Sequence, residues 1–159
     1  MKMKNRMITL GLLALLIATT GAVQAAEFEI DASHSAVTFQ VKHLTISKVS
    51  GSFADVAGKF TFTEGDPASW SAEATIQIAS VNTGNEKRDD HLRSPDFFDV
   101  ATHPALSFVS DKVIVADGKP TQIIGKLTIH GQTNVVALEV EDFSQTVTDP
   151  WGNTRRGAS

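Results

Sequence analysis

The sequence predicts an all-β fold built from short antiparallel strands. Three observations predict it. Apolar and polar residues alternate with a period of two in run after run, turn-forming residues separate the runs, and one stretch alone departs from the pattern. Alternation at that period sends successive side chains to opposite faces of a pleated strand, one buried and one wet. Seven or so such strands leave two architectures, a sandwich or a closed barrel, and periodicity does not choose between them.

The chain opens with Lys2, Lys4 and Arg6 ahead of an apolar run of about eleven residues, Ile8 to Ala18, too short to span a bilayer. Small residues at Val23 and Ala25 suit signal peptidase, so residues 1–26 read as a signal peptide cleaved at Ala25 or Ala26. The expectation is export to the periplasm, with secretion as the alternative. Residues 27–159 then form one domain, too short for two ordinary ones.

Phe28 and Ile30 open the strand series. In Val37-Thr38-Phe39-Gln40-Val41-Lys42 every odd position is apolar and every even one polar. The same signal runs through Lys59 to Thr63 with Phe60 and Phe62, and through Thr75 to Ile78 with Ile76 and Ile78. It is weaker in Leu106-Ser107-Phe108 and returns in Lys126 to Ile129, with Leu127 and Ile129, and in Val136 to Val140. Between the runs lie Glu64-Gly65-Asp66-Pro67, Asn82-Thr83-Gly84-Asn85, Ala116-Asp117-Gly118-Lys119-Pro120, His130-Gly131 and Asp149-Pro150-Trp151-Gly152-Asn153. These are turn signals, and adjoining strands are expected to pair antiparallel. Asn85 to Val100, NEKRDDHLRSPDFFDV, is the exception and reads as a short helix or ordered loop stopped by Pro95.

Charge and composition narrow the chemistry. Without residues 1–26 the chain has 11 basic and 18 acidic side chains, a net charge of −7, which phosphate backbones and anionic headgroups repel. No aromatic residue alternates with Lys or Arg as a single-strand groove requires, so no nucleic-acid partner is expected. The absence of cysteine excludes disulfides, thiol catalysis and thiolate metal sites. His34, His43, His91, His103 and His130 form no His-x-His pair and no helical i, i+4 pair, so no local metal signature exists and no metal or other cofactor is expected. No nucleophile elbow, phosphate loop or His-Glu-x-x-His sequence occurs, and the chain reads as a non-enzyme. A hydrolase would need a buried His91 paired to a carboxylate beside a serine hydroxyl. Trp70 and Trp151 flank turns and read as turn anchors. Arg88, Asp89, Asp90, His91 and Arg93 read either as a solvated charged turn or as polar groups at the end of a ligand.

Several stretches line up in order: DASHSAVTFQVKHL (Asp31 to Leu44), SGSF (Ser50 to Phe53), SVNTGNEKRDDHLRSPDFFDVATHPALSF (Ser80 to Phe108) and GKLTIHGQTNVV (Gly125 to Val136). Together they resemble the YceI family, lipocalin-like, polyisoprenoid-binding proteins exported by bacteria. The matching motif positions are His34, Phe39, His43, Phe53, Arg88, Asp89, His91, Leu92, Phe97, Phe98, Asp99 and Pro104. The resemblance implies an antiparallel β-barrel of about eight strands around an apolar tunnel for a long isoprenoid, quinone-like or fatty-amide lipid, with transient membrane contact. The candidate ligand-binding residues are then Phe39, Val41, His43, Phe53, Phe60, Phe62, Ile76, Ile78, Phe108, Leu127 and Ile129 on the strands. Arg88, Asp89, His91, Phe97 and Phe98 join them from the covering segment, with both phenylalanines pointing inward. The family runs on past the turn at Asp149 to Asn153 with two further strands, whereas this chain stops at Ser159. The expectation is a barrel incomplete at its C-terminal end, with a strand over Val135 to Val147 at an open edge. Dimerisation is an alternative closure for which the sequence offers no positive sign. The competing function is a structural β-domain whose rings fill its core.

Overall fold

The computed structural model describes residues 25–43 and 46–159. The export run, Lys2 to Ala18, lies outside them. Among the described residues, no helix is long and apolar enough to cross a membrane. The strands are β1 (Ala25–Glu29), β2 (Val37–His43), β3 (Ser47–Phe53), β4 (Val56–Thr63), β5 (Ser71–Gln77), β6 (Val81–Asn82), β7 (Ala105–Ala116), β8 (Lys119–Ile129), β9 (Gln132–Glu139), β10 (Val147–Thr148) and β11 (Thr154–Arg155). One helix, α1 (Glu86–Arg93), lies between β6 and β7.

Six strands form the main sheet in the order β1-β4-β5-β7-β8-β9, all antiparallel neighbours. Its hairpins are the ones the turn residues foretell. Asp117-Gly118 and His130-Gly131 each take positive φ at both positions, 50° and 74° in the first, 51° and 71° in the second. Both are two-residue loops whose twist matches that of the strands they join, and Asp, His and Gly are among the residues that tolerate this backbone region.

Register turns the alternation into one continuous inner face. Phe60 lies opposite Ala72, Gly58 opposite Ala74 and Val56 opposite Ile76. Ala74 then faces Phe108, Phe108 faces Leu127, and across the next ladder Gly125 faces Val136 and Ile123 faces Leu138. A bulge between Ser110 and Lys112 shifts β7 by a residue, which keeps Val113 opposite Ile123 on the same face.

The second sheet, β2-β3-β6, has its own hydrogen bonds, and β10-β11 is a separate hairpin. The sheets do not close into a barrel, in keeping with the expected open edge: among the described residues neither edge of the main sheet, β1 or β9, pairs with a strand of another sheet. The reason is local. After β1 the chain turns at Asp31, whose carbonyl accepts from His34 N–H at 3.0 Å, and β2 pairs along its whole length with β3. The small sheet meets the large one through side chains, Phe53 with Val56, Ile76 and Leu106. The edge strand also ends earlier than the sequence suggests, at Glu139, and the chain returns through Phe143 to β10.

Bulky side chains gather in two groups. Phe53, Val56, Ile76, Ile78, Val81 and Leu106 form the first, with Phe39, Phe98 and Ile129 packed against it. Phe62, Trp70 and Val113 form the second, with Phe60, Ile123 and Phe143 packed against it. Phe108 lies buried outside both groups, its ring over Gly125.

Candidate functional site

Four of the motif residues, Phe39, Phe53, Leu92 and Phe98, meet in the first core group. Phe39 crosses from β2 onto Phe53 with ring centroids 5.4 Å apart, filling the space above Gly51, its cross-strand partner. Phe98 meets Phe53 edge-on at 6.0 Å. Ile76, at the end of β5, and Ile78, in the turn that follows, complete the floor, and Ile129 reaches it from β8. Val41 shares a face with Val37 and Phe39, outside the group and 52 % exposed. His43 ends β2, and its side chain lies outside those described.

The segment that follows β6 is ordered by its own polar groups. Asn85 caps α1 by accepting from Arg88 N–H at 3.1 Å. Asp89, only 6 % exposed, accepts from Thr83 N–H at 2.9 Å and from the Thr83 hydroxyl at 2.6 Å. Arg88 donates Nε to the same hydroxyl oxygen at 2.7 Å and Nη2 to the Thr83 carbonyl at 2.8 Å. Arg93 donates to the carbonyls of Ala79 and Val81, both at 3.0 Å. Arg88, Asp89 and Arg93 thus latch α1 to the segment before it, from Ala79 to Thr83, while Asp90 and His91 stay exposed.

Pro95 ends the helix and forces a turn in which consecutive side chains diverge. Phe97 N–H bonds the Ser94 carbonyl and Phe98 N–H the Leu92 carbonyl, so Phe98 goes in and Phe97 goes out. Phe97 is thus corrected from an inward residue to one 49 % exposed, edge-on to His91 at 4.8 Å. His91 itself is 59 % exposed and 3.4 Å from the exposed carboxylate of Asp96. The buried, serine-flanked arrangement a hydrolase needs at His91 is not formed.

At the other end, Trp70 does more than anchor a turn. It donates Nε1 to the Thr63 carbonyl at 2.8 Å while packing on Phe143 at 4.5 Å, Phe62 at 4.8 Å and Phe60 at 5.6 Å. Arg156 lies over Phe62 at 3.9 Å and Phe143 at 4.2 Å, a cation between two rings. Trp151, by contrast, stands exposed in its turn.

Between the two groups the inner face is less covered. Leu127 and Val136 are half-buried and Leu138 is 44 % exposed, although each lies on the apolar side of its ladder. A cleft of about 440 Å³ opens elsewhere, beside β2 and β3, lined by Thr38, Phe39, Gln40, Ser50, Gly51, Ser52 and Asn82. Its polar lining does not suit an alkyl chain. The fold also assembles a group that no spacing announces: Asp99, His103 and His130 each place a ligating atom within 4.8 Å of the others.

An antiparallel sheet with an apolar inner face, partly covered by a second sheet and a short helix, is a lipocalin-like β architecture. Within it the chain belongs to the YceI family, since the model described as a YceI-like domain matches residues 28–155. A UPF0312 protein of Enterobacter sp. (strain 638) is 41 % identical over 157 residues, covering 98 % of this chain and 80 % of the relative. Protein YceI of Salmonella newport is 42 % identical over 147 residues, covering 91 % and 76 %. Among solved structures, Burkholderia cenocepacia BcnA superposes with a TM-score of 0.67 at 30 % identity, over 73 % of this chain and 72 % of that one. The Campylobacter jejuni YceI protein superposes at 0.63 and 33 % identity, over 81 % and 75 %.

Proposed function

We propose that this chain binds a long apolar molecule, an isoprenoid or another long-chain lipid, along the inner face of its main sheet, and that it serves as a non-catalytic carrier in the periplasm. Family membership supports this, and one geometric observation carries it: the stripe of Leu127, Val136 and Leu138 faces inward yet is left partly uncovered. An apolar stripe open to solvent along a buried-type face is a surface that lacks a partner.

The energetics favour exchange over trapping. A five-carbon prenyl unit gains about 4 kcal/mol when taken from water, at about 0.8 kcal/mol per carbon. Such lipids start in a membrane, however, where that gain is already made. A protein that nearly matches the bilayer can take up its cargo and give it back.

The interlocked rings of Phe60, Phe62, Trp70 and Phe143 favour a second reading, a structural domain with a filled core. Uptake of polyprenol, quinone and fatty amide by delipidated, folded protein, followed by native mass spectrometry, separates the two. The expected result is retained lipid, with uptake reduced about tenfold by Leu138→Glu, because an unpaired charge is costly against an alkyl chain. Val109→Glu on the outer face, opposite Lys126, is the control that leaves uptake unchanged. Folded protein that takes up none of these lipids supports the filled core and ends the carrier reading.

A further inference from the structure

Asp99, His103 and His130 come from two segments far apart in the chain. Asp99 sits in the connection between α1 and β7, with φ of 48°, and its carbonyl accepts from Thr102 N–H at 3.0 Å and His103 N–H at 2.8 Å. His130 is the first residue of the β8–β9 turn. Its ring meets that of His103 at a right angle, with centroids 4.7 Å apart. The His103 ring occupies the space a Cβ on Gly131 would need, with Cε1 at 2.8 Å, so a glycine in the turn is what lets the two imidazoles approach.

We propose that these three side chains bind a divalent transition-metal ion of the zinc, cobalt or nickel class and thereby fasten the α1–β7 connection to the β8–β9 turn. Two imidazoles and a carboxylate are a borderline donor set of the kind such ions select, whereas calcium and magnesium need more oxygen ligands than one carboxylate offers. Bonds of about 2.0–2.1 Å place neighbouring ligands on a tetrahedral ion about 3.3 Å apart. The group begins within 4.8 Å, so closing on an ion requires only that the rings and the carboxylate pivot inward. His130 is exposed, and Asp99 and His103 are half-buried, which leaves a path for the ion and room for water or a further ligand in the remaining position. Both turns hold their backbones already, so little ordering is needed on binding.

The site bears on what covers the interior. Phe98 and Val100, on either side of Asp99, pack against the first core group, and Ile129, before His130, packs there too. An ion at this point would tie together, from outside, the two segments that supply these residues to that core.

The test uses untagged full-length protein stripped with EDTA and titrated with Zn²⁺ and Co²⁺. Metal-to-protein ratio after gel filtration, the visible spectrum of bound Co²⁺ and the shift in Tm are recorded. Asp99→Asn and His130→Asn keep a residue that tolerates positive φ, so both turns survive while a ligand is lost. The expected result is a stoichiometric ion in the parent protein, a Tm that rises with metal concentration, and at least about tenfold weaker binding in each variant, since even an outer-shell change costs that much. His34→Asn and His91→Asn, at exposed positions elsewhere, retain full binding. Stripped parent protein that takes up no stoichiometric ion, or variants at 99 and 130 that bind as the parent does, would overturn the proposal.

Discussion

Gly125 lies mid-strand in β8, where glycine is ordinarily a weakness, and the Val109 carbonyl and the Phe108 ring together explain it. A Cβ at this position would come within 2.6 Å of the ring's Cζ and closer still to the Val109 carbonyl oxygen, so the glycine admits both a close neighbouring backbone and the buried aromatic that rests on it. Gly125→Val is expected to cost about 1–3 kcal/mol through overpacking, read as a lowered urea midpoint. Adding Phe108→Leu should recover part of the loss, and a double variant no more stable than the single one would show the ring is not the cause. The inward direction of Phe108 was legible from alternation, but its seat on Gly125 was not, because cross-strand register is invisible in one strand's sequence. The same holds for Asp99, His103 and His130: nothing in their spacing says that two turns meet. Phe97 and Phe98 illustrate the reverse limit, since adjacent rings in a turn cannot both face the core, and only the hydrogen bonds around Pro95 decide which does.

At the scale of elements, the strands with alternation, β2, β4, β5, β8, β9 and more weakly β7, were legible, as was a short helix or ordered loop stopped by Pro95. β3 was not, because SKVSGSF carries few apolar residues and takes its strand form from pairing with β2 residue by residue. The β10–β11 hairpin was legible only as a turn, because it is held by polar groups. Asp149 accepts from the Asn153 side chain at 3.0 Å, from the N–H groups of Asn153 and Trp151, and from Arg155 Nε at 3.0 Å. Arg155 also reaches Asp31, tying this hairpin to the turn after β1. Asn153, first through its side chain and then its N–H, with Arg155 and Trp151 after, brings the Asp149 carboxyl from 3.8 down to about 2. Asp31 is likewise held below the usual carboxylate range, by the Ser33 hydroxyl first and His34 next. A depressed folded value means that the stabilisation is fully present above the unfolded value and is lost as pH falls toward the folded one. Thermal stability should therefore decline between about pH 4 and 2 more steeply in the parent than in Asp149→Asn, which carries no titrating group there. Parallel Tm profiles for the two proteins would remove the carboxylate from any role in acid stability.

At the scale of the molecule, the two core groups are not independent cores. β4 contributes Val56 to the first and Phe60 and Phe62 to the second, and β7 contributes Leu106 to the first and Val113 and Val115 to the second. Strands that run through both groups cannot leave one without disturbing the other, so the groups are expected to unfold in one transition despite the open architecture. Ile78 tests this because it is wholly buried in the first group, at 0 % exposure, and its N–H bonds the Pro104 carbonyl at 3.0 Å. Ile78→Ala should cost about 2–5 kcal/mol. Trp70 reports from the second group, and replacing the exposed Trp151 with Phe leaves it as the sole tryptophan. In that background, Trp70 emission and far-UV circular dichroism should shift together to lower urea by about 1–2 M. A Trp70 midpoint that stays in place while the dichroism moves would mean two separately folding halves. The shared strands would then be no more than a hinge between them.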